Sequence, residues 1–257
     1  MWLKKNKKDS LQIIQQKHFD WYAENTFQDY EKYSKSTSWQ CIDLQVIGQW
    51  RSEIKKGSFL LDVGCAQGRS TFQFMNEPIN IVAFDISREM VRLAVRKYKQ
   101  SPYQAKVSFM VADASTFPVK NSSFNYVLLY GVLHHLPDPR RACLEIYRVL
   151  KRHGVYMGLE NNSTIFRFVF DLLQKLSPLW YEEAGPVALM SKKDLLKWFL
   201  GLKIKLTTST LAFVDPHLVN LLPPSLAQFI LDATNRLGQI LPLMKENGGL
   251  LAIKGSK

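Results

Sequence analysis

The sequence predicts an α/β fold in which an open, mostly parallel sheet carries helices on both faces. Three observations lead there. Apolar runs of strand length, "FLLDVG", "INIVAFD", "VSFMVAD", "NYVLLYG" and "GVYMGLE", follow one another from residue 59. Most gaps between them hold amphipathic segments of helix length, such as "SREMVRLAVRKYK" and "DPRRACLEIYRVLKR". The runs are apolar on both faces, as a parallel sheet covered on each side requires.

Taken in order, two polar helical stretches come first, over about residues 10–33 and 38–56. In the second, Trp39, Ile42, Val46 (with Ile47) and Trp50 recur at spacings of three and four, one face of a helix. After the second strand Ser87 suits an N-cap, with Glu89 and Met90 following. Asp138 and Pro139 suit the cap and first position of the next helix, and Gly154 is expected to end the turn after it. Near the end "KIKLTTSTLAF" and "GLLAIKG" read as two further strands. Between them Leu226, Phe229 (with Ile230), Ala233, Leu237 and Leu241 share one helical face. No internal repeat or low-complexity linker interrupts the chain, so a single domain over 1–257 is expected.

Composition narrows the class. An apolar content of 46% with 12% aromatics supplies a sizeable core and excludes a disordered chain. The longest apolar run, about ten residues around "YVLLYGVL", falls short of the ~20 a spanning helix needs. "MWLKKNKKDS" lacks the apolar stretch of a secretory signal, so a cytoplasmic protein is expected. Cys41, Cys65 and Cys143 form no CxxC spacing, which excludes a disulfide framework and a metal site of that kind. The formal charge of +12 is spread over 4–8, 88–106, 140–152 and 192–205. It reads as a basic solvated surface, or as a match for an anionic partner such as RNA or a phospholipid surface.

In an open parallel sheet the ligand crevice lies beyond the carboxyl ends of the strands. The first strand delivers Asp62 and the turn Gly64 to Gly68 there, the second Asp85, the third Asp113, and the fourth Tyr130 and Gly131. A dinucleotide fingerprint would want glycines at 64, 66 and 69. Those positions hold Gly64, Ala66 and Arg69, and a pyrophosphate would sit beside Asp62. A cationic nucleoside fits better. Asp62 is compatible with an ammonium and a sulfonium, and Gly64, Ala66 and Gly68 let the backbone approach the amino-acid end. Asp85 can accept from both ribose hydroxyls and Asp113 from the exocyclic adenine amine. That ligand is S-adenosylmethionine.

The segments "LDVGCAQG", "VAFDIS", "VADASTFPV" and "FNYVLLYGVLHHLPDPRRACLEIYRVLKRHGVYMGLE" resemble the class I S-adenosylmethionine-dependent methyltransferases, in particular the small-molecule and lipid type with a "VLHHLPD" segment. The resemblance runs over about residues 59–160. It implies a Rossmann-like seven-stranded sheet in the order 3-2-1-4-5-7-6, the seventh strand antiparallel, with N-terminal helices and a helical insertion before the last strand. It divides the chain into a lid over 1–56, a cofactor-binding core over 57–160, and substrate-shaping helices with the last two strands over 161–257. It also implies roles. Gly64, Ala66 and Gly68 would line the methionine moiety, Asp85 and Ile86 the ribose, Asp113 and Ala114 the adenine, and Tyr130 would lie close to the cofactor. The chain departs from the pattern at Ala66, usually glycine, and at Asn125, where many relatives have an acid.

Methyl transfer is an in-line displacement that depends chiefly on positioning, and a base is needed only when the acceptor is a poor nucleophile. His134 follows the fourth strand and Glu160 ends the fifth, so Glu160 could orient His134 as a general base, as in similar hydroxyl methyltransferases. The competing reading is that a histidine in this turn bonds only backbone. His135 is read as structural, and His18, His153 and His217 carry no signal. Acceptor specificity is expected in 1–56, 161–201 and 214–248, with Tyr22, Tyr30 and Tyr33 as candidates to face the site. The Phe- and Trp-rich segment from "TIFRFVF" to "LLKWFL" and the later apolar helix form either a hydrophobic pocket with a surface for anionic membrane, or plain packing. A small hydrophobic, lipid-linked or sugar-bearing acceptor, methylated at oxygen, is the leading expectation. An RNA methyltransferase is the alternative, though no added RNA-binding motif is present and nucleic acid is disfavoured. A non-catalytic binding module would have lost Asp85 or the glycine turn, and it has neither loss.

Overall fold

The apolar runs become strands at Phe59–Val63 (β1), Asn80–Asp85 (β2), Lys106–Val111 (β3), Phe124–Tyr130 (β4), Leu150–Asn161 (β5), Lys205–Leu211 (β6) and Leu250–Ser256 (β7). In the computed structural model they form one sheet in the order β3-β2-β1-β4-β5-β7-β6. The structure describes residues 10–100, 102–176, 190–242 and 244–257, with the side chains of 29, 30, 33, 34, 165 and 166 set aside. β1 to β5 run parallel and β7 is antiparallel to both its neighbours. The helices are Leu11–Asn25 (α1), Phe27–Ser34 (α2), Thr37–Glu53 (α3), Arg69–Phe72 (α4), Arg88–Lys99 (α5), Pro139–Val149 (α6), Ile165–Leu176 (α7), Lys192–Trp198 (α8), Pro216–Val219 (α9) and Pro224–Ile240 (α10).

Alternation along the strands splits the core into two layers. Leu61, Val63, Val127 and Leu129 face α6, where Ala142, Cys143 and Ile146 are buried. Leu60, Ile81, Ala83 and Leu128 face α3, through the stripe of Ile42, Val46, Ile47 and Trp50 expected from its spacing. β1 sits between β2 and β4, pairing Leu61 with both Val82 and Val127. The chain leaves this central strand toward β2 on one side and later returns on the other, which opens a crevice at the carboxyl rim.

Caps form as their residues dictate. The Ser87 side chain accepts from Met90 N, and Asp138 accepts from Arg141 N with Pro139 at the first helical position. Gly154 departs from expectation. It lies inside β5, where the register jumps from Phe124↔Leu150 to Tyr126↔Val155, so residues 151–154 form a bulge with His153 at φ +62°.

α10 turns the reverse of its apolar face inward. It buries Ala227, Leu231 and Gly238, while Leu226, Phe229, Leu237 and Leu241 stand exposed. The small residues set this orientation. A Cβ on Gly238 would come within 2.2 Å of the Phe213 ring, so only a bare backbone can approach so closely. Polar bonds to α3 fix the same side: Asn235 Nδ2 donates to Gln45 Oε1 at 2.6 Å, and Gln45 Nε2 donates to Asp232. Among the described residues no helix is long and apolar enough to cross a membrane.

Candidate active site

A cavity of about 600 Å³ opens over the carboxyl ends of β1, β2, β4 and β5. Its size suits a small-molecule site, for which about 300–1,000 Å³ is usual. Gly64, Ala66, Asp85, Ile86, Asp113, Ala114, Tyr130, His134 and Glu160 all reach its wall. Their positions follow from strand ends in register: β1, β2 and β4 finish within a residue or two of one another.

Asp85 is built into the turn it faces. Its carboxylate accepts from Ala66 N at 2.8 Å and from Ser87 N at 2.9 Å, joining the ends of β1 and β2. Burial pushes its carboxyl above the ordinary range, against these two N–H groups. Ala66 holds φ +44°, left-handed backbone that a glycine adopts without strain. Asp113 accepts from Ser115 N at 2.7 Å.

Two expected residues miss the cavity. Asp62 shares the face of Leu60 by strand alternation, so its side chain points away from the crevice and is fully buried. There Ser70 and Thr71 donate to Oδ2 at 2.9 and 2.6 Å, which pins the start of α4 to β1. Desolvation pushes its carboxyl up to about 7. The structure thus corrects the expectation that Asp62 meets a bound ammonium. Gly68 is likewise off the wall. It starts α4 at φ +88°, and a Cβ there would strike the Phe72 ring at 2.4 Å, so its bareness serves helix packing.

His134 and Glu160 form a buried pair, with Nδ1 to Oε2 at 2.7 Å. The same carboxylate accepts backbone N–H groups across the turn after β4: Val132 at 3.0 Å and Leu133 at 2.8 Å on Oε1, and His134 at 3.4 Å on Oε2. An acceptor that close fixes the proton on Nδ1 and makes Nε2 the acceptor atom, toward which Asn161 Nδ2 lies at 3.4 Å. The ring therefore meets side chains, not only backbone, and Glu160 holds the turn and the ring together.

Several wall residues carried no weight in the sequence. Gln15, His18 and Phe19 come from α1, at the helical spacing of three and four from one another and from Tyr22 that could have revealed them. Gln15 Nε2 donates to His135 O at 2.7 Å, His18 stands edge-on to Tyr22, and Phe19 edge-on to His135. Burial brings His18 down to about 4, and it holds His135 well below its usual value, helped by the neighbouring His134 and His18. Asp20 ties α1 to the rim by accepting from Ser87 Oγ at 2.6 Å. Of the expected tyrosines Tyr22 lines the cavity, whereas the side chains of Tyr30 and Tyr33 lie outside the described residues. Arg69, which broke the dinucleotide pattern, enters the wall with its guanidinium 4.2 Å from the Trp39 ring centroid. It pairs with Asp43 at 2.8 Å, and Tyr130 OH donates to the same Asp43 oxygen at 2.5 Å. Val169, Phe170, Phe213 and Leu218 add apolar side chains to the wall, beside the polar Arg167 and Asp215.

A glycine turn and acidic side chains at successive strand ends, beneath this sheet order, define an α/β enzyme with a nucleoside site. A methyltransferase-domain family profile matches residues 61–158. An uncharacterized protein of Methanocaldococcus jannaschii is 32% identical over 188 residues, 73% of this chain and 68% of that one. A demethylmenaquinone methyltransferase of Symbiobacterium thermophilum is 25% identical over 154 residues, spanning 59% of this chain and 60% of that protein. Among solved structures, a phosphoethanolamine N-methyltransferase of Haemonchus contortus with bound S-adenosylhomocysteine superposes with a TM-score of 0.64 at 16% identity, covering 98% of this chain and 61% of that one. The chain belongs to the class I S-adenosylmethionine-dependent methyltransferases. Its cofactor is S-adenosylmethionine.

Proposed function

We propose that this methyltransferase modifies a small hydrophobic, lipid-linked or sugar-bearing acceptor at oxygen, with His134 as general base and Glu160 as the group that positions it. The observation that carries this reading is the buried Glu160–His134 pair, which makes the ring's Nε2 an acceptor atom on the wall of a cavity that also carries Val169, Phe170, Phe213 and Leu218.

The donor set fits the cofactor. After the bonds to Ala66 N and Ser87 N, the Asp85 carboxylate keeps lone-pair capacity for two hydroxyls. Asp85 and Ile86 would hold the ribose, Asp113 and Ala114 the adenine, and Gly64 and Ala66 the methionine moiety, with Tyr130 beside it. Arg69 would face the carboxylate of that moiety. When bound, S-adenosylmethionine supplies a methyl group activated by a sulfonium. The chain's own contribution is placement and proton handling: Nε2 of His134 receives the acceptor's hydroxyl proton, and Glu160 balances the imidazolium. In this arrangement residues 1–56 close the site, 57–160 hold the cofactor and 161–257 shape the acceptor end. An apolar acceptor also favours peripheral contact with an anionic membrane.

The test is incubation of the purified protein with methyl-labelled cofactor and cell extract split into lipid, small-molecule and RNA fractions. Label in an apolar or glycosylated hydroxyl compound, lost on His134→Ala with cofactor affinity kept, is expected. Label in RNA alone, or undiminished turnover by His134→Ala, would overturn the proposal.

A further inference from the structure

Most charged groups on the cavity wall have a partner or a place. Asp85, Asp113 and Glu160 stand at the rim, and Arg69 is paired with Asp43 at 2.8 Å. Asp215, which caps α9, turns Oδ1 to His217, accepting from its backbone N at 2.8 Å and meeting its Nδ1 at 2.7 Å. Arg167 is different. Its side chain is only 14% exposed and lies on the wall, with Nε donating to Asp171 Oδ1 at 2.7 Å and Cζ 4.9 Å from the centroid of the Phe170 ring. Among the described residues no hydrogen bond reaches its two Nη groups.

Its counter-charge neutralises it weakly. Asp171 is 42% exposed, where water screens the pair, and it engages Nε alone. The Nη edge of the guanidinium is left with parallel N–H donors, the fork that matches two oxygens of a carboxylate or phosphate. Position adds to the charge. Arg167 is in the first turn of α7, a helix of 12 residues with no acid in that turn, so the cation sits at the positive end of the helix dipole. An anion relieves both. The chain also limits where that anion would lie: Asn161 at the end of β5 has Nδ2 3.4 Å from His134 Nε2, and the short stretch from there to Arg167 spans at most ~20 Å. The turn proposed for the methionine moiety follows β1, which β4 separates from β5, so the cofactor's own carboxylate would lie roughly 10 Å to the side, by Arg69.

We propose that Arg167 selects the methyl acceptor by an oxyanion, a carboxylate or a phosphate, held in the Nη fork while the hydrocarbon of the same molecule packs on Val169, Phe170 and Leu218. This rests on the reading of the cavity as the acceptor site and gives its occupant a charge. The experiment is calorimetry on the full chain saturated with S-adenosylhomocysteine, titrated with benzoate and with phenyl phosphate, and in parallel with neutral benzamide and benzyl alcohol. At least one anion should bind ~10-fold or more tightly than the neutral compounds, and the tighter of the two names the oxyanion. Arg167→Gln should weaken that anion about tenfold to a hundredfold, the usual worth of charge-assisted bonds, and Arg167→Lys, which keeps the charge without the fork, should recover part of the loss. Both variants should bind S-adenosylhomocysteine as the natural protein does, which establishes that they fold. Anion binding unchanged in Arg167→Gln, neutral compounds bound as tightly as the anions, or no binding of either anion would overturn the proposal. So would a loss of S-adenosylhomocysteine affinity in Arg167→Gln protein that still denatures cooperatively, because it would assign the guanidinium to the cofactor. Binding is read without methyl transfer, so undiminished turnover by His134→Ala would defeat the general-base reading and leave this result standing.

Discussion

Glu160→Gln separates the two jobs of Glu160. In the folded protein Oε1 takes the N–H groups of Val132 and Leu133, and Oε2 takes Nδ1 of His134 with a long bond from His134 N. A glutamine keeps a carbonyl oxygen for the first two donors and presents an NH2 group to the ring. Nδ1–H can no longer donate there, so the imidazole must move its proton to Nε2 to accept from the amide. The turn thus survives while the ring is held in the tautomer that cannot take a proton from an acceptor. Exchanging one charge-assisted bond at 2.7 Å for a neutral one should cost about 2 kcal/mol of stability, within the ~1.5–3 kcal/mol range for such bonds. Turnover on a hydroxyl acceptor should fall at least ~100-fold, the usual contribution of a general base. Thermal denaturation gives the first quantity, steady-state kinetics the second, and calorimetry with S-adenosylhomocysteine verifies that the cofactor site is intact. Folded Glu160→Gln protein that retains turnover within about threefold would refute the tautomer argument and leave Glu160 a holder of backbone alone.

Two further outcomes follow from the acids of the rim. Asp85→Asn should weaken S-adenosylhomocysteine binding by about 2–3 kcal/mol, because a neutral amide replaces charge-assisted acceptance from two hydroxyls; calorimetry showing unchanged affinity would remove Asp85 from the ribose site. Asp62 gives a pH signature. The unfolded chain releases its proton near 3.8 and the folded protein near 7, so between these values the folded state holds more protons and stability falls as pH rises. About three units correspond to about 4 kcal/mol. Urea titrations from pH 4 to pH 8 should therefore find Asp62→Asn gaining on the natural protein by up to that amount, and a difference that stays flat with pH would contradict the buried, raised carboxyl.

The sheet was legible because its signal is local and doubled. β1 to β5 are apolar on both faces, and each strand end is marked by an acid or a glycine that geometry then brings to one rim. The orientation of α10 was not legible, although its periodicity was clear. A stripe of Leu226, Phe229 and Leu237 tells which residues share a face, but the direction of that face was set by Gly238 and Asn235, small and polar residues whose partners Phe213 and Gln45 lie far away in sequence. Asp62 failed for the opposite reason. Its place beside the glycine turn suggested a ligand, yet period-two alternation already put it on the face of Leu60, where Ser70 and Thr71 answer it from the next helix. The α1 wall shows a third limit: Gln15, His18 and Tyr22 fall on one helical face, but each is an ordinary residue in a polar helix, and only the approach of α1 to the turn at His135 gives them a common purpose. The purpose of Gln15 and the inward side of α10 were hidden because their partners, His135 for Gln15 and Gln45 for Asn235, lie more than a hundred residues away in the chain.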